Sequence, residues 1–234
     1  MARHRPHVER VWENDRALTV LLGLLVAMIF FLHPLVDMGY EVAPIGSAIF
    51  TLMLLSGIAA VTHSPRTRMA FGIVVVIALA VHWMRYVLPG PAWAGADAIS
   101  SFVACGMLAA IIFLRVFRPG PITSDRIQGA IAAYLLIGIM FAAVYVWIEL
   151  RSAGAFAGSA APLAPAPGRE GLSARFVYFS FTTLTTVGFG DIVPVQPFAR
   201  SLATMEALIG QVFPAILLAR LVSLEVGERQ RHSA

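Results

Sequence analysis

A short run of threonines and glycines near residue 190 has the residue types needed to bind a dehydrated cation. The run is Thr185-Thr186-Val187-Gly188-Phe189-Gly190-Asp191. Consecutive backbone carbonyls can point at one axis only if some residues adopt backbone angles that a Cβ resists, and Gly188 and Gly190 permit such angles. Carbonyls arranged in this way can replace the water shell of a K⁺ ion when four strands surround it. We therefore interpret the run as a cation-binding strand.

The composition indicates a chain that lives in a membrane. Hydrophobic residues make up 59% of the 234 residues and charged residues 13%, far from the averages of soluble domains. The single cysteine, Cys105, excludes an intrachain disulfide and a cysteine-based metal site. All 17 basic residues are arginines at the ends of apolar segments. This placement favours a topology signal and attraction to anionic lipid at the cytoplasmic face over nucleic-acid binding.

Six apolar runs are long enough to be membrane-spanning helices, which need about 17 to 25 residues. The first could also be a secretory signal peptide, but no convincing cleavage site follows it. We predict an all-α fold with a cytoplasmic tail at 1–16, a four-helix domain at 17–118, a pore domain at 126–224 and a second cytoplasmic tail at 225–234. The predicted spans are 17–33, 45–61, 69–88, 98–117, 126–150 and 199–224.

The arginines also set the orientation of these spans. Twelve of the 17 lie in the tails, in the second and fourth connections or at the span ends next to them, and the other five lie in or next to the longer opposite loops. The positive-inside rule then places both termini in the cytoplasm, which requires an even number of spans. Six spans satisfy this. The compact architecture and the exclusive use of arginine favour a bacterial inner membrane.

The segment between the fifth and sixth spans has two parts. Residues 151–172 are rich in Ala, Pro and Gly, which predicts a flexible external loop, with a linker between folded domains as the alternative. Residues 173–185 are too few and too polar for a full span. We predict a re-entrant pore helix continued by the filter, together 173–191, because non-helical backbone at membrane depth is tolerated only along an enclosed pathway. A surface-lying amphipathic segment is the alternative.

From about Val177 to Leu224 the chain resembles the potassium channels of the superfamily that contains the voltage-gated channels, in their six-helix, one-pore-loop form. From Ala17 to Phe117 the resemblance is architectural only. It implies that carbonyls of the run near residue 190 bind dehydrated K⁺ in a selectivity filter and that no organic cofactor is present. The implied K⁺ ligands are Thr186, Val187, Gly188, Phe189 and Gly190.

The same resemblance assigns roles to neighbouring residues. The Thr186 hydroxyl completes the innermost ion site, and Asp191 belongs to the outer mouth. Tyr178 and Phe179 form an aromatic cuff behind the filter. One loop per chain cannot close a four-fold filter, so a homotetramer with cyclic symmetry is implied.

Phe189 departs from the more familiar tyrosine at its position. It retains the packing of the ring and loses a hydrogen-bond donor that braces the filter. The filter carbonyls are unchanged. We expect K⁺ selectivity to survive and resistance to filter collapse to fall.

Glu206 is a carboxylic acid about seven residues into the last span, where such a group is costly and usually functional. Some relatives carry an acid behind the filter at the place that Thr182 occupies here. We predict that Glu206 supports the filter from the last helix through a hydrogen bond, and the sequence leaves open whether the acid is protonated. The alternative is a carboxylate that reaches water or Arg200.

Gly210 and Pro214 lie four residues apart in the last span. The proline ring clashes with the carbonyl four residues earlier, which weakens the helix at its softest residue. The resemblance predicts a gating hinge at this pair, and a fixed kink is the alternative. Leu218 and Val222 are candidates for a hydrophobic constriction below it.

The first four runs carry no voltage sensor in the usual sense, because the fourth has only Arg115, with Arg118 just beyond it. Strong voltage gating is not expected. The connection 117–126 contains Pro119-Gly120-Pro121 and is too short for a lateral helix. We therefore expect each four-helix domain to pack beside its own pore.

His33, His63 and His82 are dispersed, which favours packing or helix-end roles over a metal cluster.

The sequence thus predicts a passive K⁺-selective channel and not an enzyme, since no nucleophile–base arrangement or metal-ligand spacing is present. The alternative is a non-conducting sensor or assembly subunit that retains the channel fold. The ten residues after Leu224 are too few for a cytoplasmic ligand-binding domain.

Overall fold

The computed structural model describes the backbone of residues 7–32, 35–36, 38, 40, 42–60, 65–88, 90–117, 123–158 and 168–232. Side chains are described within these ranges from Arg16 to Arg220, apart from residues 43 and 168–171. Part of the predicted connection at 117–126, His33, His63 and the side chain of Val222 lie outside the described residues.

Seven helices and two short strands follow one another along the described chain. The helices are α1 (His7–Ala27, continued by a π-helical turn at Met28–Leu32), α2 (Ala43–Ala60), α3 (Pro65–Val87), α4 (Pro91–Val116), α5 (Ser124–Arg151), α6 (Gly168–Leu184) and α7 (Pro197–His232). Strand β1 (Phe156–Gly158) precedes α6 and strand β2 (Ile192–Pro194) follows it.

Each predicted span corresponds to one helix, with four long enough to cross a membrane. Among the described residues, α3, α4, α5 and the part of α7 from Pro197 to Arg220 meet the length and hydropathy required of a span. Two shorter apolar helices, Arg16–Leu32 and Pro44–Ala60, coincide with the first two predicted runs. The chain is therefore an integral membrane protein, and large apolar side chains on the outside of its helices are suited to face lipid.

Helix α5 is the central element of the packing. It contacts α1, α4, α6 and α7 of the same chain. Its small residues allow these close approaches: a Cβ on Gly129 would lie 3.1 Å from the side chain of Val116, and one on Gly138 would lie 2.6 Å from the ring of Phe181. Small residues at helix interfaces have this role in membranes, where lipid offers no hydrophobic drive for association.

Several predicted boundaries were wrong. The external loop 151–172 contains β1, which pairs antiparallel with β2 in the register Phe156↔Pro194. Phe156 is buried among aromatic rings, which fixes the strand. Helix α6 begins at Gly168, before the predicted start at 173, and residues 159–167 lie outside the described residues. Helices α1 and α7 also extend beyond their apolar runs, into the predicted tails at 1–16 and 225–234.

A buried polar cluster joins α2, α3 and α4 at the end of the bundle near the start of α4. His82 lies between Asp97 (Nδ1 to Oδ1, 3.0 Å) and Ser47 (Nε2 to Oγ, 3.1 Å). Arg85 donates to Asp97 Oδ2 at 3.1 Å and to the Tyr86 hydroxyl at 2.8 Å. His82 and Asp97 are only 6% and 5% exposed. His82 is thus more than a packing residue, because it connects a charged partner on α4 with a neutral partner on α2.

This cluster predicts the effect of removing its anion. Asp97→Ala leaves the partly buried Arg85 side chain, which is 15% exposed, beside an uncharged side chain. The free energy of unfolding should fall, by less than the roughly 3–5 kcal/mol lost when a fully buried pair is broken. Asp97→Asn should have a smaller effect because it keeps some hydrogen bonds. The measurement is thermal unfolding of the detergent-solubilised protein by circular dichroism. Arg66→Gln, at an exposed position at the start of α3, is the control and should change little; equal stability of all variants would contradict the prediction.

Candidate functional site

The candidate filter, residues 185–191, continues from the end of α6 in a non-helical conformation. Thr186, Gly188 and Gly190 have positive φ values of 59°, 54° and 78°, whereas Val187 and Phe189 between them do not. Alternation of left- and right-handed residues turns successive carbonyls of a strand toward the same side. A β-branched residue at positive φ is strained by about 1–3 kcal/mol, so the surrounding structure must hold Thr186 in place.

The end of α6 holds the candidate filter in place by accepting hydrogen bonds from its backbone amides. The N–H of Thr186 donates to the Thr183 carbonyl at 2.9 Å. The N–H groups of Val187 and Gly188 both donate to the Thr182 carbonyl, at 2.9 and 3.1 Å. Three consecutive amides therefore point back at α6. Thr182, predicted as a filter support, contacts this segment through its backbone, while its hydroxyl donates to the Phe179 carbonyl.

The two aromatic residues predicted for the cuff lie on different faces of α6. The Tyr178 ring stacks on Phe189, with centroids 6.4 Å apart and planes 2° from parallel. Its hydroxyl interacts electrostatically with the Asp191 carboxylate. Phe179 instead packs against Tyr145 and Phe156, with centroids 5.1 and 5.3 Å away. In the described residues, Tyr178 alone of the pair makes a ring contact with the candidate filter.

Glu206 is buried where α5, α6 and α7 meet. The Tyr145 hydroxyl donates to Oε2 at 2.6 Å, and Ser180 Oγ makes a short hydrogen bond with Oε1. Both Glu206 and Ser180 are 0% exposed. The alternative in which Glu206 reaches water is wrong, because Glu206 is fully buried, and Arg200 donates to the carbonyl of Pro194 instead.

A count of protons in this cluster favours a neutral Glu206. Ser180 Oγ lies 2.7 Å from the Gly138 carbonyl as well as next to Glu206. A hydroxyl has one proton to donate and a carbonyl can only accept. If Ser180 donates to Gly138, the remaining contact needs a proton on Glu206. A carboxylic acid then satisfies every group, since it donates to Ser180 and accepts from Tyr145.

Gly210 lies directly against the end of α6. A Cβ at this position would be 1.7 Å from the Leu184 carbonyl oxygen, which also accepts a hydrogen bond from the Tyr134 hydroxyl at 3.2 Å. Close packing therefore requires glycine here for a reason that the sequence interpretation missed. The predicted hinge at Gly210 and Pro214 stays a prediction; Pro214 lies inside the continuous helix α7.

Sequence reasoning also missed Gln211. Its Nε2 donates to the Thr186 hydroxyl at 2.6 Å, and both side chains are exposed in the single chain. A polar residue within an apolar run, one position after a buried glycine, was the available signal. Ser180 and Tyr145 gave no such signal, because one hydroxyl in a helix is common.

Residues 169–226 match the family model described as "Ion channel". The match includes nearly all of α6, the candidate filter and most of α7. This region is an ion-channel pore domain. The family that this region matches is one of ion channels and not of enzymes.

Three curated proteins resemble parts of the chain. Protein LctB of Bacillus caldotenax is 28% identical over 124 residues, which are 53% of this chain and 90% of that protein. Two pore potassium channel c of Oryza sativa subsp. japonica is 37% identical over 91 residues, 39% of this chain and 17% of that protein. Protein LctB of Geobacillus stearothermophilus is 34% identical over 88 residues, 38% of this chain and 62% of that protein. No solved structure gives a significant match.

The first prediction for the pore domain concerns Gly210. Gly210→Ala places a methyl group against a backbone carbonyl, so it should destabilise the protein by at least the roughly 1–3 kcal/mol typical of overpacking. Thermal unfolding of the solubilised protein measures the loss. Gly72→Ala is the matched control, because a Cβ there has nothing within 4 Å. If both variants unfold at the same temperature, the close approach is wrong.

The second prediction concerns the protonation of Glu206. Glu206→Gln keeps a donor toward Ser180 and an acceptor for Tyr145, so it should fold with nearly unchanged stability. Glu206→Ala removes both and should lose about 1–3 kcal/mol for each buried group left unpaired. Infrared difference spectra between wild type and Glu206→Gln should show the carbonyl stretch of a protonated carboxylic acid. A carboxylate band in its place, with an unstable Gln variant, would show that Glu206 is ionised.

Proposed function

We propose that this chain is the subunit of a potassium-selective channel that conducts K⁺ passively through a tetrameric pore. The observation that carries the proposal is the conformation of the candidate filter, with left-handed residues at Thr186, Gly188 and Gly190 and amides turned toward α6. This combination leaves the carbonyls of one side for an ion. Four copies are required to surround it, since one strand supplies only one side of each ion site.

Selectivity for K⁺ is supported by the chemistry of the strand and by one relative. The candidate filter offers uncharged carbonyl oxygens, which suit a dehydrated monovalent cation better than rings of carboxylates do. The plant protein that is 37% identical over 91 residues is named a potassium channel. The Thr186 hydroxyl adds an oxygen ligand at the inner end, and the Tyr178–Phe189 stack supports the outer half.

We further infer six spans with both termini in the cytoplasm of a bacterial cell. The four longer helices and the two shorter apolar ones together supply the spans, and α6 enters from the outer side without crossing. Anionic lipid at the cytoplasmic face suits the arginines at the inner helix ends. Helix α4 packs along α5 of its own chain, which supports an assembly without domain exchange.

Weak voltage dependence follows from the position of Arg115. It is the one arginine in α4, and its guanidinium donates to the Ala60 carbonyl at 2.9 Å. A charge held at the end of a neighbouring helix crosses little of the membrane field. The first four helices therefore form a supporting domain of the pore rather than a sensor of the charged type.

Flux measurements in liposomes test the proposal. The purified protein should carry K⁺ at least tenfold faster than Na⁺, with block by Ba²⁺ and little dependence on voltage. Gly188→Ala forces a side chain into positive φ and should abolish flux. Gly23→Ala, where a Cβ meets nothing within 4 Å, should conduct as wild type. Folded, reconstituted wild-type protein without flux across pH and voltage would overturn the proposal and favour a non-conducting sensor or assembly subunit.

A further inference from the structure

The side chain of Gln211 reaches the inner end of the candidate filter from the neighbouring helix. Its Nε2 lies 2.6 Å from the Thr186 hydroxyl oxygen. Both side chains are exposed in the single chain, on the side where a tetramer would place its central pathway. An amide on α7 therefore contacts the one side-chain oxygen expected to bind an ion in the proposed filter.

The contact is held from both sides. Gly210, next in sequence to Gln211, packs against the Leu184 carbonyl so closely that no Cβ fits between them. Thr186 is held by its N–H bond to Thr183. The backbones of both partners are therefore positioned before the side chains meet, so little conformational freedom remains to be lost when the hydrogen bond forms.

The hydrogen-bonding groups of Gln211 and Thr186 allow their contact to reverse direction. The amide carries both a donor and an acceptor, and the hydroxyl has one proton and two lone pairs. The amide N–H donates to the Thr186 hydroxyl in this structure. With a cation bound, the hydroxyl must direct its lone pairs at the ion, and its proton can then be accepted by the amide oxygen after a half-turn of the amide.

We propose that Gln211 is a positioning residue for the innermost cation site, acting through the Thr186 hydroxyl. It orients that hydroxyl and so sets the affinity of the site for cations. The inference rests on the proposed K⁺ channel function. It concerns the inner end of the filter alone, because the contact involves no other residue of the candidate filter.

A double-mutant cycle tests whether the two residues act together. Gln211→Met keeps the length of an unbranched side chain and removes both hydrogen-bonding groups. Thr186→Val keeps the shape of threonine and removes the hydroxyl. The readout is Ba²⁺ binding to the solubilised protein by calorimetry, which does not require conduction. The ion is of K⁺-like size and doubly charged, so its interaction with each oxygen dipole is doubled.

Gln211→Met should weaken Ba²⁺ binding at least about fivefold, the ratio expected for one hydrogen bond. The same change should have no effect in the Thr186→Val background and its full effect in the Thr186→Ser background, where the hydroxyl is retained. Val212→Met, the same substitution at the next and also exposed position, is the control and should bind Ba²⁺ as wild type does.

Two results would overturn the inference while the proposed function stands: wild-type Ba²⁺ affinity in Gln211→Met, or equal losses with and without the Thr186 hydroxyl. Wild-type protein that neither conducts K⁺ nor binds Ba²⁺ would instead refute the channel proposal itself, and this inference with it. The thermal unfolding of each variant shows whether it is folded, so a variant that fails to fold is replaced by Gln211→Leu in the same cycle.

Discussion

The contact of α7 with the end of α6 is the constraint on which the pore domain depends. Two pairs of residues define it: Glu206 meets Ser180, and Gly210 meets Leu184. The members of each pair are four residues from those of the other on both helices, so the contacts follow one stripe along α6 and α7. The first is a hydrogen bond and the second a backbone approach. Together they fix the rotation of α7 about its axis and its position along that axis relative to the candidate filter.

Helix α5 completes this arrangement from the other side. It supplies Tyr145 to Glu206 and the Gly138 carbonyl to Ser180. Its small residues also let α4 and α1 pack against the opposite face. Helix α5 therefore connects the four-helix domain with the buried cluster around Glu206. In a medium without water, such satisfied polar contacts fix the orientation of helices that apolar packing alone would leave free to rotate.

The parts of the structure that sequence predicted well are those encoded locally. Glycines at alternate positions describe a backbone conformation directly, so Gly188 and Gly190 indicated the candidate filter without knowledge of its surroundings. The cluster around Glu206 depends on how three helices are rotated, which no single segment specifies. Gly210 in the sequence is compatible with a hinge and with a close approach, and the close approach becomes visible only when its neighbour Leu184 is known. The strand β1 was missed because three residues carry no periodicity.

The pairing of β1 with β2 makes the candidate filter part of a closed loop. Phe156 and Pro194 meet in the two-stranded stem, and α6, the candidate filter and residues 159–167 all lie between them. The candidate filter is thus tied at both ends: it follows α6 directly, and it leads directly into β2, whose partner strand precedes α6. A displacement of either strand of the stem would therefore act on the outer end of the candidate filter.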